Sequence, residues 1–316
     1  MNAEVFAEWL RRQGHQVIRS ESSYWYDAGP RVLQAFPYHW LIEPSQAELK
    51  EVLLDHKAIA LRYSTPLSAP CGKISYHVVC MDPGYDVPGL PRQTRQNVRR
   101  GLECAKIELI PISWLASEGW NLRLDSLERQ GRVEAETEQG WRHMCQSAEN
   151  LSGFEAWGAF YDGQLAASFL AFQCDDWYTL PYEQSATAYL ESRINNAIFF
   201  HVTHEAIHRS GIRGVFFCLQ SLDAPASVDQ FKFRMGLTAR AVRQRVVFHP
   251  WLEPFIGKPV YSVVKRLLAR QPNKPALAKM EGMLRFYQEG KCLPLEQDWP
   301  ACLNDRRSEL VEGLKL

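Results

Sequence analysis

The segment INNAIFFHVTHEAIHRSGIRGVFF, residues 194–217, decides the fold of this chain. Its first part is long and free of proline and glycine, which predicts a helix over residues 190–210 that ends at Gly211. The run IRGVFFCLQ follows directly and predicts a buried strand over residues 212–220. A long helix that leads into a buried strand is typical of an α/β protein with a mixed sheet.

The residues on both sides of this segment supply the other strands of that sheet. The Asp-Gly pair at 162–163 separates two apolar runs and predicts a hairpin over residues 157–173. Further strands are predicted over 177–185 and 237–249, with a short helix over 225–235. We expect the long helix to pack across this sheet through Ile194, Ile198 and Val202.

The first half of the chain has a less regular pattern. Residues 122–149 are helical in character, with interruptions expected near Gly131 and Gly140. The other predicted elements are helices over 1–14, 46–56 and 90–103 and strands over 58–64, 73–81 and 107–112.

Composition excludes several classes of protein. The 316 residues include 36 Lys and Arg and 36 Asp and Glu. The chain therefore lacks the overall basic excess that is typical of DNA-binding proteins, and no DNA partner is expected. The eight cysteines have no C-x-x-C spacing, which favours reduced thiols in a cytoplasmic protein. The N-terminal sequence does not have the pattern of a signal peptide, and no transmembrane helix is expected.

Four motifs occur in an order that resembles the Fem-type branch of the GNAT acyltransferase superfamily. They are LPRQTRQNVRRGLE (90–103), the helix-strand segment 194–217, LQSLD (219–223) and DQFKFRMG (229–236). The resemblance implies two related lobes: an N-terminal GNAT-like lobe over 1–135 and a GNAT core over 136–250, followed by a helical extension over 251–316.

The resemblance also implies a reaction. A Fem-type enzyme moves an acyl or aminoacyl group from acyl-CoA or aminoacyl-tRNA to an amine. The acceptor expected here is a sugar, peptide or amino acid, including a cell-envelope or polysaccharide precursor. The cofactor implied is acyl-CoA, such as acetyl-CoA, unless aminoacyl-tRNA is the donor.

The start of the long helix bears on the donor. Many GNAT enzymes place glycines there, so that backbone N–H groups contact the pyrophosphate of CoA, but LESRINNA has none. Arg193 supplies a charge at this position. Of Asn195 and Asn196, one is expected to cap the helix and the other to face the donor. The missing glycines also support an alternative, a non-catalytic GNAT-like binding protein.

Two residues are candidates for the chemistry. Glu183 ends the strand 177–185 and is a candidate general base, with Tyr182 beside it for substrate binding. Lys232 occupies the lysine of the family signature, where it would hold a phosphate or stabilise charge on an acyl oxygen. The alternatives are a solvated glutamate and a surface lysine between two core phenylalanines.

Polar residues elsewhere are candidates for substrate binding. Gln220 and Ser221 follow a buried strand, where ligands often bind in open sheets, although a simple turn explains them equally well. Arg95 and Arg99 lie on one predicted helical face, with Arg92 and Arg100 nearby. That face would contact phosphate groups, or it would simply be solvated.

A zinc peptidase is the third alternative. HEAIH (204–208) matches H-E-x-x-H, in which two histidines bind zinc and the glutamate acts as base. The third ligand position of the longer pattern is Gly214 rather than histidine, and Arg209 places a charge where such helices are apolar. We therefore expect no metal in this protein.

Overall fold

The computed structural model describes residues 3–131, 136–223, 227–272 and 274–314. The helices are α1 (Ala3–Arg12), α2 (Gln46–Asp55), α3 (Arg92–Cys104), α4 (Ile112–Glu118), α5 (Trp120–Arg129), α6 (Glu138–Ala148), α7 (Ile194–Ile207), α8 (Ser227–Arg234), α9 (Lys258–Arg270), α10 (Pro275–Glu289) and α11 (Arg307–Glu312). The strands are β1 (Val17–Arg19), β2 (Tyr24–Gly29), β3 (Val32–Phe36), β4 (Ala60–Thr65), β5 (Lys73–Cys80), β6 (Lys106–Ile110), β7 (Phe154–Tyr161), β8 (Gln164–Cys174), β9 (Trp177–Ser185), β10 (Gly214–Leu219) and β11 (Thr238–Phe248).

The chain divides into two compact units. Unit 1 comprises Met1–Gly14, Val79–Cys218 and Asp229–Thr238. Unit 2 comprises His15–Val78, Leu219–Val228 and Ala239–Leu316. These units are defined by the packing of the chain. The predicted boundaries near residues 135 and 250 separate lobes that the family resemblance implies to be related, which is a different property, so those boundaries stay predictions.

Unit 1 contains strands in the order β10-β9-β8-β7-β6. β10 runs parallel to β9, and the other neighbours are antiparallel. The predicted hairpin joins β7 to β8 through Asp162 and Gly163, whose φ angles are 49° and 78°. Positive φ at both central residues is the requirement of a tight type I′ turn, so the Asp-Gly signal is confirmed.

Helices cover both faces of these strands. α7 packs against β7, β8 and β9, and the predicted contact residues Ile194, Ile198 and Val202 are all buried. On the other face, the Phe6 ring of α1 stacks on Phe172 of β8 with 4.4 Å between ring centroids. The mixed α/β architecture predicted from the sequence is confirmed.

Two predicted boundaries in unit 1 are wrong. α7 begins at Ile194 rather than near residue 190, because Arg193 adopts a left-handed φ of 64° that ends the preceding turn. Gly140 does not interrupt the helical region, because it lies inside the first turn of α6, where its N–H donates to the Thr137 cap.

Unit 2 contains strands in the order β1-β2-β3-β4-β11-β5. β3 runs parallel to β4, which pairs antiparallel with β11. α2 begins at the N-cap Ser45 and packs Leu49 and Val52 into a core that includes Trp25. The strands β1 to β3 fall in residues 15–45, for which the sequence pattern predicted no elements.

The C-terminal helices belong to unit 2. α9 and α10 pack together, and Val264, Met283 and Phe286 share a core with Val246 and Phe248 of β11. Among the described residues, no helix is both long enough and apolar enough to span a bilayer.

Candidate active site

The neighbouring parallel strands β9 and β10 pair over only part of their length. Their pairing runs from Trp177 opposite Gly214 to Thr179 opposite Phe216. β9 continues to Ser185 and β10 to Leu219, so the carboxyl ends of both strands extend beyond their last shared pair. This is the edge where ligands bind in open α/β sheets.

A β-bulge on β9 lies directly after the last shared pair. Leu170 and Phe172 of β8 pair with Tyr182 and Thr179, so β9 has one extra residue between these two positions. Pro181 lies within the bulge and has no N–H to donate to a neighbouring strand. Bulges bend a strand and redirect the residues that follow, and they are common beside active sites.

Lys232 points into the interior of unit 1 rather than into solvent. Its Nζ atom donates a hydrogen bond to the Cys218 Sγ atom over 3.1 Å and lies 3.7 Å from Asp229 Oδ1. The Cys218 thiol in turn lies 3.7 Å from the same carboxylate oxygen as a weak donor. A strand and a helix therefore hold one ammonium group in a fixed position.

Glu183 completes this group of charges. It follows the bulge, pairs with Phe169 of β8 and is partly buried. Burial raises the pKa of the Glu183 carboxyl, and the positive charge of Lys232 lowers it by a smaller amount. A carboxyl with a raised pKa is a chemically suitable proton acceptor for an amine.

The protonation states of the other two groups follow from the same contacts. Burial opposes the charged form of Lys232, but Cys218, Glu183 and Asp229 together raise the pKa of the ammonium. Burial also raises the pKa of Cys218 to about 11, although Lys232 counteracts part of this effect. At neutral pH the site therefore contains a charged lysine and a neutral thiol, which argues against Cys218 as a nucleophile.

Two further polar atoms on β9 are buried without a hydrogen-bond partner among the described residues. They are Thr179 Oγ1, at the last shared pair, and Gln184 Oε1, next to Glu183. Gln184 uses its amide group to donate to Ser168 Oγ over 2.8 Å. An unsatisfied buried polar atom typically costs ~1–3 kcal/mol. Gln184 is adjacent to Glu183 on the strand and so faces the other side of the sheet, and Thr179 pairs with Phe172, which faces α1, so these atoms are not part of the group around Lys232.

Tyr182 lies on the other face of the sheet from Glu183, as adjacent residues on a strand do. Its ring packs edge-on against Trp9 and Trp141, with centroid distances of 6.3 and 6.2 Å, and the Arg123 guanidinium lies 5.4 Å from its centroid. The structure therefore does not bring Tyr182 together with Lys232 and Glu183. Its predicted role in substrate binding stays a prediction.

The start of α7 differs from the predicted cap. Arg193 occupies the cap position, and no side chain accepts a hydrogen bond from the first turn, so neither Asn195 nor Asn196 is the N-cap. Asn196 Nδ2 donates to the Met235 sulfur over 3.3 Å, while Asn195 is partly buried. The backbone of α3 fits closely here, because a Cβ on Gly101 would lie 2.4 Å from the Arg193 carbonyl oxygen.

The basic face predicted on α3 is present in unit 1. Thr94, Val98 and Gly101 form its buried side, while Arg99 is exposed and Arg95 is partly exposed. Arg95 donates to the Pro88 carbonyl oxygen over 3.3 Å. Among the described residues, neither arginine has an acidic partner within ion-pair distance, and the same holds for Arg92 and Arg100.

Gln220 and Ser221 lie in unit 2, in a polar network of that unit. Ser75 Oγ donates to Gln220 Oε1 over 2.8 Å, and Arg62 donates to the Gln220 carbonyl oxygen over 3.0 Å. Ser221 Oγ donates to Asp223 Oδ1 over 2.8 Å. Turn chemistry and the network explain these contacts, and a role in substrate binding stays a prediction.

The HEAIH histidines make contacts that do not depend on a metal. His208 Nδ1 donates to the His204 carbonyl oxygen over 2.7 Å, and the two rings lie 4.2 Å apart. Among the described residues, these two histidines are not part of a three-ligand group. The expectation that no metal binds stays a prediction.

Sequence reasoning did not identify Cys218 and Asp229 as members of the site. Cys218 lies in the apolar run VFFCL, where a cysteine is expected to act as a small hydrophobe. One signal was available for the bulge, since proline inside the otherwise strand-like WYTLPYEQS indicates an irregularity.

Solved structures resemble this chain. A crystal structure of FemX is similar with a TM-score of 0.56 and 9% identity, over 79% of this chain and 92% of that chain. The C-terminal domain of a protein described as a lysylphosphatidylglycerol synthetase, from Agrobacterium fabrum, is similar with a TM-score of 0.50 and 12% identity, over 77% of this chain and 86% of that domain. The chain has a Fem-like GNAT fold. No protein-family model matches the sequence, and no curated protein sequence matches it.

The irregularity of β9 lies at the point where it stops pairing with β10. β9 and β10 stop pairing before Tyr182 and Glu183.

Proposed function

We propose that this chain is an N-acyltransferase that moves an acyl or aminoacyl group from a carrier to an amine. The observation that carries the proposal is the placement of Lys232 against Cys218 on β10 and of Glu183 on β9, because both strand positions lie beyond the last shared pair of β9 and β10. Acyl transfer to an amine requires a proton acceptor, a group that stabilises a developing oxyanion, and alignment of the two substrates. This part of unit 1 has a candidate for the first two, Glu183 and Lys232.

The chemistry follows from these groups. The amine nitrogen attacks the acyl carbonyl carbon, and Glu183 accepts the proton that the nitrogen loses. The negative charge that develops on the carbonyl oxygen is offset by the Lys232 ammonium. When the tetrahedral intermediate collapses, the bond between carbon and carrier breaks, and the carrier leaves with its electron pair and takes up a proton.

Lys232 also has a second possible role that the same contacts support. Its fixed ammonium would neutralise a phosphate of the donor instead of the acyl oxygen. In the first role its removal lowers kcat, whereas in the second it raises the KM of the donor. The two roles are therefore separated by steady-state kinetics.

The donor that we favour is an aminoacyl-tRNA. The start of α7 has no glycine loop, and α3 packs closely against Arg193 there, which disfavours a backbone contact with the pyrophosphate of CoA. The arginines of α3 have no acidic partners among the described residues, which suits an RNA backbone. The name of the similar lysylphosphatidylglycerol synthetase also supports an aminoacyl group. Acyl-CoA remains the alternative donor.

The proposed acceptor is an amine on a sugar, peptide or amino acid, including a cell-envelope or polysaccharide precursor. This class rests on the resemblance to Fem-type proteins and on the similarity to FemX in fold. A raised pKa at Glu183 suits an amine acceptor, because the base must take a proton that an amine holds firmly.

The experiment is a transfer assay with two labelled donors, aminoacyl-tRNA and acetyl-CoA, each offered to a panel of amino sugars, amino acids and peptides with free amines. Mass spectrometry identifies any amide product, and Lys232→Ala is the control enzyme. Product from aminoacyl-tRNA that the control fails to make supports the proposal. Ligands that raise the melting temperature without any product would instead support a non-catalytic binding protein.

A further inference from the structure

An exposed apolar surface lies on α9 and on the turn before it, in unit 2. Phe255 is 69% exposed, Trp251 58% and Val263 53%. We call this set the α9 surface, and its members are Trp251, Phe255, Val260, Val263 and Leu267. Large apolar side chains are commonly exposed singly, but a group of five along one helix and its lead-in turn requires an explanation.

The packing of α9 determines which side faces outward. Val264 is buried in the core that includes Phe248 and Phe286, and the Tyr261 hydroxyl donates to Glu281 on α10 over 3.0 Å. These contacts fix one side of the helix. Val260, Val263 and Leu267 follow the spacing i, i+3 and i+7, so they form a second apolar stripe beside the packed one.

The charges along α9 itself are all positive, whereas the turn before it contains one acidic residue, Glu253, which lies 3.8 Å from Lys291 Nζ. From residue 254 to residue 280 the sequence has no aspartate or glutamate and contains Lys258, Lys265, Arg266, Arg270, Lys274 and Lys279. None of these cations has an ion-pair partner among the described residues. Arg266 and Arg270 lie three and seven residues after Val263, and so they border the apolar stripe. The whole chain is balanced, with 36 residues of each sign, so this excess is local.

The combination of apolar side chains and unpaired cations limits the class of partner. RNA would match the cations but not five exposed apolar side chains, and a second copy of this chain would bring the same positive charge to the interface. An interfacial helix with aromatic and aliphatic side chains on one face and Lys and Arg around them matches an anionic bilayer surface.

We propose that the α9 surface binds the surface of a membrane that contains anionic phospholipids. The apolar side chains enter the interface, and the surrounding cations are attracted to the lipid headgroups. This binding is independent of acyl transfer, because every member of the surface lies in unit 2 and none belongs to the group around Lys232.

Vesicle sedimentation with the full chain tests this proposal. The probes are vesicles of phosphatidylcholine alone and vesicles that also contain phosphatidylglycerol, each at low and high salt. We expect partition onto the phosphatidylglycerol vesicles to be at least about tenfold stronger, and to weaken as salt rises, because screening reduces attraction to the surface.

Two variants separate the contributions of the surface. Phe255→Ser/Val263→Ser/Leu267→Ser removes apolar side chains, and Lys265→Gln/Arg266→Gln/Arg270→Gln removes charge. All of these side chains are exposed, so the fold should be retained. Each variant should lose at least about tenfold in partition. Leu293→Ser/Leu295→Ser is the matched control, because these leucines are also exposed in unit 2 but lie outside α9, and it should bind as the wild type does.

Three results would overturn the proposal. They are equal binding to both kinds of vesicle, no binding to either, and full binding by both variants. Sedimentation velocity and an electrophoretic shift with a homopolymeric RNA then identify the other occupants. A dimer that the serine variant dissociates would assign the surface to a second copy, and RNA binding that the glutamine variant abolishes would assign it to RNA.

Discussion

The Nζ atom of Lys232 lies 3.1 Å from the sulfur of Cys218, to which it donates a hydrogen bond. Asp229 lies within 3.7 Å of both groups, and the charge of Glu183 also acts on the lysine. The lysine is therefore held in one position by a strand and by its own helix. A positioned charge of this kind stabilises a transition state better than a mobile one, since it needs no reorganisation during the reaction.

Replacement of Lys232 by alanine should leave the fold intact and remove most acyl transfer. Loss of a positioned group that stabilises an oxyanion typically costs ~3 kcal/mol, or about a hundredfold in rate. Lys232→Arg should restore only part of the rate, because a planar guanidinium does not replace a point charge. Turnover is measured together with circular dichroism and melting temperature.

Lys106→Ala is the matched control for this prediction, because Lys106 is an exposed lysine of the same unit. It should retain full turnover. A folded Lys232→Ala enzyme with near-normal turnover would remove Lys232 from the site.

Replacement of Glu183 by glutamine should change the pH dependence of transfer. A general base works only when deprotonated, so wild-type kcat/KM should rise with pH through the raised pKa of Glu183. In Glu183→Gln that acid limb should disappear, and the remaining rate should be low. An unchanged acid limb in this variant would assign it to another group.

The same substitution should increase stability at neutral pH. The folded state raises the pKa of Glu183, so it binds the proton more tightly than the unfolded chain does. Stability is therefore lost as pH rises from the ordinary range of a glutamate through the folded pKa. Because glutamine avoids this loss, Glu183→Gln should melt at a higher temperature than the wild type at pH 7. A lower melting temperature would contradict the account of the raised pKa.

Cys218 should react slowly with alkylating reagents. With a pKa of about 11, only about one thiol in a thousand is ionised at pH 8, and the thiolate is the reactive form. Cys104, Cys292 and Cys302 are exposed and should be modified first. Peptide mass spectrometry after timed alkylation gives the order, and modification of Cys218 before these three would contradict the assigned protonation state.

The arginines of α3 should affect binding of the donor rather than the chemical step. Replacing Arg95 and Arg99 by glutamine should raise the KM of an RNA donor and reduce its dependence on salt, with kcat unchanged. The matched control is Arg142→Gln, since Arg142 is exposed in the same unit but paired with Glu138. Unchanged KM and salt dependence in the double variant would show that the face is only solvated.

The local sequence pattern was sufficient to predict most strands and helices of unit 1. The Asp-Gly turn, the strand 177–185 and the buried residues Ile194 and Ile198 follow from signals that act over a few residues. The strands between residues 17 and 36 were not predicted, because they are short and their pairing depends on contacts with β4, which is distant in sequence.

The candidate site was predictable only in part, for a related reason. Lys232 and Glu183 lie in motifs that the sequence displays. The contact of Lys232 with Cys218 depends on how α8 packs against β10, and no local pattern defines that packing. The start of α7 was assigned to the wrong cap, because Arg193 adopts a left-handed conformation that is rare for arginine.

A double-mutant cycle of Glu183→Gln and Lys232→Ala, measured as kcat/KM for transfer from the identified donor, tests the central claim most directly. If both residues act in one chemical step, their effects are strongly non-additive. We predict that each single variant loses about a hundredfold, and that the double variant loses far less than the product of the two losses. Losses that simply multiply, or single variants with near-normal kcat/KM, would contradict a shared site for acyl transfer.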